Sequence, residues 1–132
     1  MEGGRWKVGG GRREKMQNQF KNLKVWQKGM ELVKQVYAIT RQFPKDEQFG
    51  LTSQMRRAAV SVPANIAEGK GRYHKKEYIQ FLYMARGSIY EIMTLIEMAQ
   101  GLRYFPEIES KKLLELSSEI TAMLNGLIQA IQ

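Results

Sequence analysis

The sequence contains no cysteine and one histidine, His74, in 132 residues. Without thiols there is no disulfide framework, no thiolate metal site and no thiol nucleophile, and one imidazole cannot supply paired metal ligands. A di-iron bundle needs Glu-x-x-His on two helices; the residue three before His74 is Gly71, so that chemistry is excluded as well. No stretch approaches the roughly 18 consecutive apolar residues of a membrane-spanning helix, and the N-terminus lacks an apolar signal core. The expectation is a soluble, cytoplasmic protein with no metal, no cofactor and no membrane partner.

What the sequence does have is positive charge. Lysine and arginine number 21 against 13 acidic residues, for a net charge of +8 and a pI near 9.8. Polyanions, with nucleic acid foremost, become the leading class of partner. The excess lies in the first hundred residues, whereas residues 101–132 are slightly acidic. The length suits one domain with a core that needs no covalent staples.

Residues 1–19 read as a disordered basic arm. Five of the twelve glycines fall within Met1 to Lys15, among Arg5, Lys7, Arg12 and Arg13, a composition that buries nothing. Two origins fit: an arm that reaches for phosphates, or a start assigned too early, because codons for Arg12 to Lys15 can spell a ribosome-binding purine run ahead of Met16.

From Phe20 to the end, apolar residues recur at spacings of three and four, the signature of helices, and no period-2 run appears. The first seam is Val25, Gly29, Leu32, Val36, Ile39, Phe43, widened by Trp26, Val33 and Tyr37 and stopped by Pro44. The second is Leu51, Met55, Ala58, Val62, Asn65, Gly69, with Thr52 as its expected cap; Pro63 inside it predicts a kink near Ala59 to Val62, with a break that would give five helices as the alternative. The third, Tyr78, Leu82, Ala85, Ile89, Ile92, Ile96, Ala99, is expected to end at Gly101. The fourth opens at Pro106 and carries Leu113, Leu116, Ile120, Leu124, Leu127, Ile131. Short connections predict an all-α, antiparallel up-down-up-down four-helix bundle over residues 20–132. Ile79, Tyr83, Tyr90 and Met93 form a further apolar stripe on helix three, which predicts self-association, with a wide core contact as the alternative.

Several stretches carry a resemblance: Leu23-Lys24-Val25-Trp26-Gln27-Lys28, Gly50-Leu51-Thr52-Ser53-Gln54-Met55-Arg56-Arg57-Ala58, Asn65-Ile66-Ala67-Glu68-Gly69, and Gly87-Ser88 followed by Glu91. From Phe20 to about Tyr104 the chain resembles the four-helix-bundle proteins encoded by intervening sequences in bacterial large-subunit rRNA genes. Accessory variability proteins of diversity-generating retroelements look similar, and there the bundle partners a reverse transcriptase and binds nucleic acid. The resemblance implies a ring-like homopentamer. His74 departs from the serine that tends to open helix three in the family.

The densest cationic cluster, Lys70-Gly71-Arg72-Tyr73-His74-Lys75-Lys76, joins helices two and three. Lys70 and Arg72 follow a helix C-terminus, where cations are favourable by roughly 0.3–1 kcal/mol. Lys75 and Lys76 open the next helix, where the same dipole disfavours them, so phosphates are their expected compensation and Tyr73 is placed to stack on an unpaired base. A solvated basic loop is the competing explanation. Arg56 and Arg57 beside the second seam, and Lys24 and Lys28 on helix one, complete the candidate nucleic-acid contacts, and repetition around an oligomer would extend them. No base-reading motif is visible, so RNA or DNA would be recognised by shape and backbone.

Asn65, Glu68, Ser88 and Glu91 lie on or beside apolar seams. Two glutamates among twelve make a poor acid–base site without other catalytic signatures, so a structural role bonding helices two and three is expected. The function expected overall is non-catalytic binding of nucleic acid by a homo-oligomer. The alternatives are an accessory scaffold for a reverse transcriptase and a protein-interaction bundle whose charge serves solubility.

Overall fold

The computed structural model describes residues 20–132. The basic arm expected over residues 1–19 lies outside them. Four helices, α1 (Lys24–Thr40), α2 (Leu51–Lys70), α3 (Lys75–Gly101) and α4 (Glu107–Ile131), are joined by short connections, with one 3-10 turn at Lys45–Glu47. Among the described residues there is no strand. Helix α1 packs on α2 and α4, and α3 packs on the same two, so the four surround a single core.

The seams read from the sequence form that core. Leu32, Val36, Met55, Val62, Leu82, Ile89, Ile92, Ile96, Leu113, Ile120 and Leu124 are wholly buried, and Ile66 and Ile128 join them. Tyr78, Leu127 and Ile131 are only partly buried. In α2, Pro63 sits inside one helix and does not split it. Its ring lies where a Cβ on Gly29 of α1 would come within 3.4 Å.

Three helix ends differ from expectation. Helix α2 is not capped by Thr52, which is buried; the Leu51 N–H is instead taken by Glu47 Oε1 at 3.0 Å. A carboxylate there also faces the positive end of the helix dipole. Helix α3 does end at Gly101, yet the left-handed residue that turns the chain is Arg103, with φ 61°. The Arg103 N–H donates to the Gln100 carbonyl at 2.9 Å and the Tyr104 N–H to the Ala99 carbonyl at 3.0 Å, the paired bonds of a Schellman turn. Pro106 precedes α4 as its cap residue, one position earlier than its expected place in the first turn.

At Gly69, α2 lies close against α3. A Cβ there would fall 2.8 Å from Phe81 Cβ and 3.1 Å from Tyr78 Cδ1. Eight residues earlier in α2, Ser61 Oγ donates to Ser88 Oγ at 2.6 Å. Gly87, by contrast, is exposed in the middle of the longest helix with open space where its side chain would be.

Candidate nucleic-acid interface

The cationic cluster occupies the corner between α2 and α3. Arg72 is held within the fold: its Nη2 donates to Glu68 Oε2 at 3.0 Å, and its guanidinium lies 4.7 Å from the Phe81 ring centroid. Lys70 Nζ stands 5.7 Å from the Tyr78 ring centroid. The Tyr78 hydroxyl beneath this corner is buried without a hydrogen-bond partner among the described residues, and burial pushes its pKa up.

Tyr73, His74, Lys75 and Lys76 are different. Tyr73 is 93% exposed and meets only the edge of His74, at 5.1 Å between centroids. His74 holds the cap position of α3, but its side chain makes no capping bond. Lys75 and Lys76 follow as the first two helical residues, exposed and without an ion pair among the described residues. Their one local compensation is Glu77 in the same turn. The corner thus presents a free aromatic ring beside two cations set against the helix dipole.

Arg56 is built into the α1–α2 contact. Its Nε donates to Thr40 Oγ1 at 2.8 Å, its Nη2 to the Tyr37 carbonyl at 3.5 Å, and its guanidinium lies 4.6 Å from the Tyr37 ring centroid. The Thr40 hydroxyl donates in turn to the Val36 carbonyl at 2.7 Å. Neighbouring Arg57 takes no part in these bonds and is exposed. On α1, Lys24 is exposed, while Lys28 Nζ is shared between Glu31 at 3.8 Å and Glu119 of α4 at 3.5 Å, so its charge is partly neutralised.

The apolar stripe of α3 divides. Ile79 and Met93 are partly buried against the core, whereas Tyr83 and Tyr90 are 42% and 51% exposed. Arg86 lies 4.8 Å from the Tyr83 centroid and donates through Nη1 to Asn125 of α4 at 2.9 Å. Met84 and Met98 extend the exposed apolar surface.

The polar set expected to bond α2 to α3 does so through one member. Ser88 accepts from Ser61, a residue the sequence reading passed over although it lies one turn from Asn65. Asn65 Nδ2 turns back to the Ser61 carbonyl of its own helix at 2.8 Å. Glu68 is exposed and bonded to Arg72, and Glu91 is exposed on α3, so neither glutamate spans the helices. Among the described residues no cluster of three or more histidine or acidic side chains is arranged to hold a metal, and no helix is long and apolar enough to cross a membrane.

The stretches that carry the resemblance open α1 and α2, close α2 on Gly69 and mark the middle of α3. A model of the 23S rRNA-intervening sequence protein family matches residues 21–126. The chain belongs to that family. No curated protein matches the chain. Among solved structures, the chain is similar to a protein of unknown function from the S23 ribosomal protein family of Bacteroides thetaiotaomicron. The two are 21% identical with a TM-score of 0.72, over 79% of this chain and 97% of that one. At that identity the likeness speaks for the fold.

Proposed function

We propose that this member of the 23S rRNA-intervening sequence protein family is a non-catalytic nucleic-acid-binding protein that works as a ring-like homo-oligomer. One observation carries the reading: Tyr73, 93% exposed, stands beside Lys75 and Lys76 at the end of α3 where cations are disfavoured. Phosphate oxygens relieve that repulsion, and an unpaired base covers the tyrosine ring. The net charge of +8 supplies the long-range attraction.

The helices of each protomer run up-down-up-down. Contacts that pair early with late residues support this: Gly29 with Pro63 and Thr40 with Arg56 between α1 and α2, then Ser61 with Ser88 and Gly69 with Phe81 between α2 and α3. Tyr83 and Tyr90 on the outer face of α3 supply the contact between protomers. Binding of structured RNA, single-stranded RNA and duplex DNA at low salt tests the reading. Failure to bind any of them replaces it with a protein-interaction bundle that uses the same tyrosines.

A further inference from the structure

A second aromatic–cation station lies at the opposite end of α2, about 30 Å from the Tyr73 corner at 1.5 Å per helical residue. Phe49, in the turn before α2, is 91% exposed, so nearly all of its ring stands in water. It lines a groove of about 600 Å³ with Tyr37, Ser53, Arg56, Arg57 and Ser61. The groove contains two arginines and no carboxylate. Of two other grooves of similar size, one holds Glu47, and the other adjoins this groove, shares Arg57 and Ser61 with it and holds Glu91.

The two arginines are prepared differently. Arg56 is fixed by Thr40, the Tyr37 carbonyl and its stack on the Tyr37 ring, which uses its Nε–H and one Nη2–H and leaves the other Nη2–H and both Nη1–H groups uncommitted. Arg57 forms no ion pair among the described residues and is free to follow a ligand. A held guanidinium, a free one, the Ser53 hydroxyl and a bare phenyl ring match the parts of one nucleotide: phosphate for the arginines, a sugar hydroxyl for Ser53 and a base for Phe49.

We infer that this groove is a nucleotide subsite for single-stranded RNA, in which Phe49 stacks on an unpaired base while Arg56 and Arg57 hold its phosphate. The inference rests on the nucleic-acid reading above and adds a site that the cationic corner does not contain. An acidic protein partner would meet the arginines but would leave no role for an isolated planar ring. A duplex would meet the arginines too, yet its bases are already stacked on one another.

Anisotropy titrations with a labelled ten-nucleotide single-stranded RNA and a ten-base-pair duplex test it, with light scattering to follow mass. Phe49→Ala should weaken single-strand binding about tenfold, leave the duplex within twofold, and keep both the slope against salt and the melting temperature, since the ring is exposed and uncharged. Arg57→Ala should flatten the single-strand slope by about 0.7, the contribution of one phosphate contact. If the wild-type protein binds and Phe49→Ala changes single-strand affinity by less than twofold, the subsite is wrong while nucleic-acid binding stands. If Phe49→Ala instead changes the oligomeric mass, the groove is a protein contact and the inference falls. A wild-type protein that binds neither probe overturns this inference and the reading beneath it together.

Discussion

The Tyr104 hydroxyl donates to Glu47 Oε2 at 2.7 Å while Glu47 Oε1 accepts the Leu51 N–H at 3.0 Å, so one carboxylate ties the turn after α3 to the start of α2. The Leu51 N–H, and after it the Tyr104 hydroxyl, hold the Glu47 pKa below its usual value, and the same bond to Glu47 raises that of Tyr104. A carboxylate with a depressed folded pKa adds stability above its unfolded value, and that stability is lost as pH falls through the folded one. Glu47→Gln should therefore lower the melting temperature at pH 7, and the gap from wild type should close as the pH drops below about 4. For Tyr104 the sign reverses, so its contribution holds below pH 10 and fades above. A gap that is constant across pH would show that Glu47 acts only by packing.

Two glycines should respond in opposite directions. Gly69→Ala places a methyl group 2.8 Å from Phe81 Cβ, so α2 and α3 must separate, at about 1–3 kcal/mol of stability. Gly87→Ala meets nothing within 4 Å and removes backbone freedom from the unfolded chain, which should add about 0.5–1 kcal/mol to a protomer. Urea unfolding of both variants checks the pair. Equal effects would mean that Gly69 is not a tight point between the helices.

Arg103 takes the left-handed position that glycine usually fills. Arg103→Gly removes the Cβ strain and should stabilise the protein by about 0.5–1 kcal/mol, net of the greater freedom of glycine when unfolded. Thermal melts would detect it as a rise of a few degrees.

Self-association through the outer face of α3 should be broken by Tyr83→Lys or Tyr90→Lys, since both rings are half exposed and neither completes the core. Light scattering coupled to gel filtration reads the mass directly. A wild-type protein that stays at 15.3 kDa over a hundredfold range of concentration has no such interface.

The helices were legible in the sequence because burial imposes its period on the residues that supply it. Leu82, Ala85, Ile89, Ile92, Ile96 and Ala99 share one face by their spacing alone, and all are buried. Helix ends were less legible. The α2 cap comes from Glu47, which reaches Leu51 from the 3-10 turn, and spacing alone does not reveal a partner outside the helix. The bond between α2 and α3 was expected among four polar residues and uses Ser88 with Ser61, because choosing between adjacent polar positions depends on how far each helix is rotated. Phe49 gave one signal, an aromatic residue out of period in a turn, and its exposure becomes visible only when the chain is folded.

The central claim is that cations placed against the dipole of α3 bind phosphates, and the slope of log affinity against log salt tests it most directly. Each phosphate contact contributes about −0.9 on duplex DNA and about −0.7 on a single strand. Wild-type protein should show a steep negative slope on structured RNA, and replacing Lys75 and Lys76 together with alanine should flatten it by about 1.4 to 1.8 while the melting temperature holds or rises. A double variant that binds as tightly as wild type, with the same slope, would contradict the account.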